Sequence, residues 1–238
     1  MRGTVWGTTV VTGMAVLLLT GCGMGAGQQA APTPEPTTPA SQSATPSPTP
    51  TETADPLASV DAIVVLPTAI ELRAGDEVVE SLGYLSPTAD AVAILTEVIG
   101  AGPVEEPFEG DFHFPSGVLH TWDGLVLTER HYDEADRAAQ GYDWEVWPNF
   151  SVFLEGPTAG GLPLTTGDGL AAGDPAGDVG AGIALGEGEY VCEGTPVESA
   201  EVTPDSGPHT VTVAAQLAED GATIGRLVAP AVVSDACV

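Results

Sequence analysis

Four histidines and the acidic residues beside them are the side chains of this sequence whose types could hold a metal. The histidines are His113, His120, His131 and His209, and the neighbouring acids are Asp111, Asp123, Asp133 and Glu134. Zinc sites use imidazole, thiolate and carboxylate ligands, often at short sequence spacing. No two of these histidines have the His-x-x-x-His spacing that places both on one face of a helix, and turns explain the acids. We therefore predict no metal-binding residue in this set.

Three aspartates in a glycine-rich segment raise the question of calcium, which takes several oxygen ligands. They are Asp168, Asp174 and Asp178. Their spacing matches neither the EF-hand loop nor the glycine-rich nonapeptide repeat. A glycine-rich loop is the simpler interpretation, and calcium-dependent adhesion stays a hypothesis.

Covalent and acid–base catalysis are constrained by the complete absence of lysine. Without lysine, P-loop phosphate binding, Schiff-base chemistry and Ser-x-x-Lys acyl transfer are excluded, and the sequence also has no Gly-x-Ser-x-Gly motif. Glycoside hydrolysis needs two carboxylates, and a chain with 34 acidic residues always permits pairs. Three acids in or near an aromatic-rich segment are candidates for such chemistry, namely Glu129, Glu145 and Glu155. Because abundance is not evidence, we predict no catalytic and no cofactor-binding residue.

The three cysteines fall into two groups. Cys192 and Cys237 are expected to pair if the protein is exported to an oxidising compartment. A disulfide between them would enclose 44 residues and stabilise the fold by about 4 kcal/mol in the chain-entropy model. A redox or metal role is less consistent with the sequence, because these cysteines lack close spacing and histidine partners.

The remaining cysteine ends an N-terminal targeting pattern. Arg2 precedes a largely apolar run from Val5 to Leu19, which has the length of a signal-peptide core and is shorter than a membrane span. The sequence Leu19-Thr20-Gly21-Cys22 follows, and it resembles the lipobox of bacterial lipoproteins. In that family the chain is cleaved before the cysteine, which carries diacylglycerol, and fatty acyl groups such as palmitate can be added at the new N-terminus.

The resemblance implies that residues 1–21 are a signal peptide and that Cys22 is the lipid-attachment residue. It also implies a protein anchored by lipid at the extracytoplasmic face of the cell membrane. Two or three acyl chains would give stable anchoring, whereas one gives only marginal binding. The alternative is an ordinary secretory signal that is cleaved near Ala26.

Residues 22–56 are predicted to be a disordered linker. In the stretch 31–56, 18 of the 26 residues are Pro, Ser or Thr, and almost none has an apolar side chain that could be buried. Proline-rich chain favours an extended conformation that rises about 3.1 Å per residue, so the linker could reach up to about 100 Å. Such a linker suits a domain held away from a membrane.

The charge of the chain excludes one class of partner. From Ser59 onward the sequence has 31 acidic residues and four arginines, which gives a net charge of −27 with neutral histidines. Such a surface repels nucleic acids and anionic lipid head groups, so contact with the membrane must come from the anchor. The charge either keeps the domain soluble or attracts cations or a basic partner.

Residues 57–238 are predicted to be one globular region of the α+β class, with an antiparallel sheet and few helices. Apolar runs predict strands at 63–66, 69–72, 78–82, 118–122, 125–132 and 150–155, and a hairpin from 210–217 and 222–228. Ser86 as the cap and Pro87 as the first residue predict a helix that ends at Gly100. Asp123-Gly124 predicts a two-residue turn in which Trp122 faces Leu125 and His120 pairs with Leu127, as a half-buried and hydrogen-bonded histidine.

Ten of the 13 aromatic residues lie between Phe108 and Phe153, and we interpret this segment as the main core. A stacking platform for a sugar or peptide is the alternative. A weak internal similarity suggests a tandem duplication with halves 57–156 and 157–238. It rests on two Leu-x-x-Gly-Asp motifs, at 72–76 and 164–168, and on related segments at 86–90 and 174–178. With glycine at 180 and 182, a second helix would be poor.

These observations favour a membrane-anchored extracytoplasmic lipoprotein whose domain is a non-enzymatic binding or interaction module. Its ligand would be a cell-envelope component or a protein. The alternative is a cell-surface hydrolase that acts on polysaccharide through Asp/Glu catalysis.

Overall fold

The computed structural model describes residues 55–110, 115–132, 135, 148–186, 189–203 and 208–234. All of them belong to one compact unit, Thr51–Val238. The predicted signal peptide, the lipid-attachment residue Cys22 and nearly all of the linker lie outside the described residues and stay predictions.

The elements in the described residues are thirteen strands, the α-helix α1 and two short 3-10 helices. The strands are β1 (Ala62–Val65), β2 (Ala69–Ala74), β3 (Glu77–Gly83), β4 (Val104–Phe108), β5 (Gly117–Trp122), β6 (Leu125–Arg130), β7 (Phe150–Leu154), β8 (Thr158–Ala159), β9 (Leu162–Thr166), β10 (Tyr190–Val191), β11 (Thr195–Val202), β12 (His209–Leu217) and β13 (Ile224–Ser234). The helix is α1 (Thr88–Ile99), and the 3-10 helices span Pro56–Ser59 and Ala176–Val179.

The strands form two sheets. The smaller has the order β3-β2-β1-β9-β8, and the larger has the order β11-β12-β13-β7-β6-β5-β4, with β10 added beside β13. Strands β1 and β9 are parallel, and the other described pairs are antiparallel. The predicted antiparallel character is therefore confirmed, and the described part of the chain is mainly β with α1 packed against it.

Strands β1 and β2 form as the apolar runs predict. Ile63 pairs with Leu72 and Val65 with Ile70, and all four side chains are buried on the same face. Alternate residues of a strand point to one face, so this register collects the large side chains of both strands against the core. Burying each of them contributes about 1.5–3 kcal/mol.

Helix α1 differs from the prediction at its first turn. Pro87, and not Ser86, occupies the capping position, and no side chain caps the helix. The Pro87 carbonyl accepts from Asp90 N and Ala91 N, so the helical hydrogen bonds begin there. The predicted end is confirmed, because Gly100 is left-handed and its N–H donates to Thr96 O.

The hairpin around Asp123 has the predicted register, with His120 opposite Leu127 and Trp122 opposite Leu125. Its turn also packs against the connection that follows β7. Gly124 N donates to Thr158 O, and Glu155 N donates to Gly124 O. A side chain on Gly124 would meet the Gly156 backbone at 2.7 Å, so glycine is required by this close approach.

The core lies between the two sheets and α1. Trp122 and Phe150 are buried in it, which confirms the predicted core for these two members of the aromatic segment. Tyr142, Trp144 and Trp147 lie outside the described residues. Much of the core is aliphatic and comes from strands beyond that segment, with Ile63, Ile70, Leu72, Val213, Ile224 and Leu227 among its members.

The two halves proposed for a tandem repeat contribute strands to both sheets. Strand β9 lies beside β1, and β13 lies beside β7. The predicted hairpin of β12 and β13 is confirmed. The segment 174–178 leads into the four-residue 3-10 helix rather than an α-helix. The duplication itself stays a prediction.

Candidate functional site: a histidine–glutamate cluster

Four ionisable side chains gather on strands β4, β5 and β6, and we call Glu105, His120, Glu129 and His131 the histidine–glutamate cluster. Glu105 is paired with His120 across β4 and β5. Glu129 lies two residues beyond Leu127, the partner of His120, and therefore on the same face of the sheet. His131 directly follows β6.

Glu129 joins the two imidazoles. Its Oε2 atom lies 3.0 Å from His120 Nε2, and its Oε1 atom lies 3.0 Å from His131 Nε2. An ionised carboxylate only accepts hydrogen bonds, so both histidines must carry a proton on Nε2. The carboxylate thereby fixes the orientation of both rings.

His120 carries a buried nitrogen that lacks a donor or acceptor partner in the described residues. The residue is 5% exposed, and its Nδ1 atom makes no hydrogen bond there. Glu105 Oε1 lies 3.5 Å away, which suits an ion pair but does not meet hydrogen-bond geometry. In the Nε2–H tautomer, Nδ1 is an acceptor that faces another acceptor. A second proton on the ring, placed on Nδ1, would make Nδ1 a donor toward Glu105.

The ionisation of Glu129 follows from these contacts. Partial burial alone would raise the pKa of its carboxyl group. Hydrogen bonds from His120 and His131, with the positive charge of these rings when protonated, outweigh that effect and lower the pKa below its usual value. Glu129 is therefore held as a carboxylate.

The cluster could position a general base. The side chain of His131 is 52% exposed. Its Nε2–H donates to Glu129, which leaves Nδ1 of the same ring as the basic nitrogen. A carboxylate that orients a histidine is half of a catalytic triad. In the part of the chain that the structure describes, no hydroxyl or thiol group is hydrogen-bonded to His131. Among the described residues, therefore, no nucleophile for acyl transfer accompanies this pair.

Of the acids proposed for glycoside hydrolysis, Glu129 and Glu155 lie far apart. Glu129 is paired with Phe150, whereas Glu155 follows Leu154 at the other end of β7. Five residues of strand separate them by about 16 Å, against about 5–9.5 Å between the carboxyl groups of glycosidases. Glu145 lies outside the described residues.

The other acidic and histidine candidates have separate positions. Asp174 Oδ2 accepts from Ala171 N in a turn, and the Asp168 backbone N–H donates to Glu198 Oε1. Asp178 lies in the short 3-10 helix, and His209 begins β12. Asp111, His113, Asp133 and Glu134 lie outside the described residues. Within the described ranges, no three His, Cys, Asp or Glu side chains converge to hold a metal ion.

Only one of the two cysteines of the predicted disulfide lies in the described residues. Cys192 is disulfide-bonded, and Cys237 lies outside the described residues. Tyr190 pairs with Ser234, so β10 brings the segment beside Cys192 next to the last described residues of the chain. The pairing of Cys192 with Cys237 stays a prediction that this placement favours.

Comparisons with protein-family models, with curated proteins and with solved structures give no match. Among the helices that the structure describes, none has the length and apolar character needed to cross a membrane.

Sequence reasoning missed Glu105 and the link between Glu129 and the histidines. The link follows from the predicted hairpin register, because residue 129 is diagonal to residue 120 on the same face. Glu105 gave no such signal, since β4 has the sequence Val-Glu-Glu-Pro-Phe and exposes four of its five residues.

Proposed function

We propose that the chain is a lipid-anchored extracytoplasmic protein whose domain binds a basic partner without catalysis. The observation that carries the proposal is the placement of exposed acids on three of the four terminal strands of the two sheets. These are Glu77 and Glu80 on β3, Glu105 and Glu106 on β4, and Glu201 on β11. Acidic side chains along these three edges attract cationic groups.

The state of Glu129 also supports binding rather than glycoside hydrolysis. A general acid in that reaction needs a raised pKa, whereas the histidines lower the pKa of Glu129. The distance from Glu129 to Glu155 further weakens the hydrolase alternative. Lipid anchoring rests on the resemblance of Leu19-Thr20-Gly21-Cys22 to a lipobox and on the linker that follows.

Two experiments test the proposal. Replacing the anchor cysteine, Cys22→Ser, should move the protein from the membrane fraction into the medium while the domain stays folded. Retention in the membrane fraction would contradict the assigned location.

For binding, residues 23–238 are mixed with isolated cell envelopes, and both sedimentation of the protein and release of reducing sugar ends are measured. We expect saturable binding that weakens with added salt and no new reducing ends. Release of sugar ends that is lost in Glu129→Gln would instead support the hydrolase. Absence of saturable binding would contradict a binding module.

A further inference from the structure

The terminal strands of the two sheets differ in how their open edges are protected. Strand β8 has only two residues, and β4 contains Pro107, which lacks a backbone N–H. Strand β11 contains Pro196 and a bulge, and Ile183 N donates to the Pro196 carbonyl. Short length, proline and bulges are the usual devices that stop a sheet edge from pairing with another chain.

Strand β3 is the least protected of these edges. It has seven residues without proline, and no described strand pairs with its outer side. A bulge lies near Val79, while the pairing is regular from Glu80 to Gly83. Val78 is an exposed large apolar side chain on this strand. This edge could therefore accept a further strand.

The outward backbone groups can be identified from the ladder. Ala69 O accepts a hydrogen bond from Leu66 N, so the backbone N–H and C=O groups of Ala69 point toward β1. Because these groups alternate in direction along a strand, those of Ile70 point toward β3. Leu82 is the partner of Ile70, so its backbone groups bond to β2. The backbone groups of Ser81, one residue earlier, therefore point to the open edge. Ser81 N donates to Glu80 Oε1, which lies 3.1 Å away.

The charges at this edge determine which partner fits. Asp76, Glu77 and Glu80 are exposed there, while the nearby Arg73 is already bound to Glu71 at 2.6 Å. A second copy pairing through β3 would bring like charges together. The chain's own linker is rich in proline and acidic, so it suits this edge no better.

We propose that the outer edge of β3 binds an extended peptide segment rich in Lys or Arg, which adds to the smaller sheet as a strand. A cationic side chain of the segment would pair with Glu80 and draw its carboxylate away from Ser81 N. The released N–H would then donate to the backbone of the incoming segment. This inference rests on the proposed binding function and adds its surface and the chemistry of the partner.

The test uses residues 23–238 and a blocked nine-residue peptide that alternates Lys and Val. Binding is measured by fluorescence anisotropy, and the site is mapped by amide hydrogen exchange. A peptide with Glu in place of Lys controls for charge, and spermine supplies cationic charge without a peptide backbone. We expect the Lys peptide to slow exchange at Ser81 and its neighbours, the Glu peptide not to bind, and spermine not to slow exchange there.

Protein variants separate the edge from the general surface charge. The double variant Glu77→Gln with Glu80→Gln should weaken peptide binding about fivefold. Ser81→Lys keeps the backbone N–H but adds a positive charge that repels the Lys peptide, so it should weaken binding at least as much. The matched pair Asp178→Asn with Glu219→Gln, exposed acids that lie outside the strands, should change binding less than twofold. Thermal melting checks that each variant is folded.

Several outcomes would overturn the inference. These are protection that maps to β4 or β11, equal weakening by both charge pairs, equal protection by spermine, or no binding of the Lys peptide. If cell envelopes still bind saturably in any of these cases, the proposed function stands and only the assignment to β3 is wrong. If envelope binding is also absent, both are wrong.

Discussion

His120 Nε2 lies 3.0 Å from Glu129 Oε2, a diagonal contact between adjacent strands of the larger sheet. His120 is buried, while the second partner of Glu129, His131, is about half exposed. The carboxylate therefore connects an imidazole beside the core to one at the surface. This makes Glu129 the residue of the cluster whose replacement should have the largest effect.

Glu129→Gln should destabilise the domain by about 1–2 kcal/mol at neutral pH, because an ionised acceptor of two hydrogen bonds is lost. The pKa of Glu129 is lower in the folded state than in the unfolded chain, so ionised Glu129 stabilises the fold above the unfolded-state pKa. That contribution disappears as the pH falls through the folded-state pKa. In denaturant titrations from pH 7 to pH 3, the difference in stability between the two proteins should shrink toward the acid end.

Glu106→Gln provides the control for that experiment, because Glu106 is exposed on β4 and points to the other face. Its stability should stay within about 0.5 kcal/mol of the original protein at every pH. A constant difference between Glu129→Gln and the original protein down to pH 3 would contradict the assigned ionisation.

Glu97→Gln should raise the melting temperature at neutral pH. The hydrogen bond with Asp55, followed by the negative charge of that residue, raises the pKa of Glu97 in the folded state. Two neighbouring carboxylates therefore repel each other once both are ionised. Since a raised carboxyl pKa opposes folding in full above the folded-state pKa, the advantage of the variant should shrink below that pKa and vanish below the unfolded-state pKa.

Asp90→Asn is the matched control for Glu97→Gln. Asp90 is exposed in the first turn of the same helix, where a negative charge interacts favourably with the helix dipole. Its removal should slightly lower the melting temperature. The same sign of change in both variants would indicate a general charge effect instead of the Asp55–Glu97 pair.

Gly117→Ala should destabilise the domain by about 1–3 kcal/mol through overpacking. An added Cβ atom would lie within 3 Å of both the Glu129 backbone carbonyl oxygen and the Phe108 ring. Since the backbone is one of the obstacles, combining the change with Phe108→Ala should not restore stability. Gly102→Ala, with nothing within 4 Å of the added atom, should be tolerated, and chemical denaturation measures all three.

Cys192→Ser and Cys237→Ser should each destabilise the domain by about the same amount, up to about 4 kcal/mol if the two residues form the enclosing disulfide. The double variant should be no less stable than either single one, since the bridge can be lost only once. Additive effects in denaturant titrations would show that the cysteines do not pair with each other.

Local features of the fold could be predicted from the sequence. The Asp123-Gly124 turn and the end of α1 at Gly100 depend on backbone angles that only a few residue types adopt easily. The turn then determined the register that pairs His120 with Leu127. The first turn of α1 was predicted one residue too early, because Pro87 can serve either as the cap or as the first helical residue.

Only the tertiary structure determined which distant segments meet. The parallel pairing of β1 with β9 joins strands far apart in the chain, and no local pattern specifies such a partner. The same holds for Glu105, whose exposed strand carries no apolar alternation and contacts His120 only because β4 pairs with β5. The sequence therefore determined turns, the positions of the strands with clear apolar runs and the excess of acidic residues. Packing determined which acids became partners of histidines and which edge of the smaller sheet stayed open.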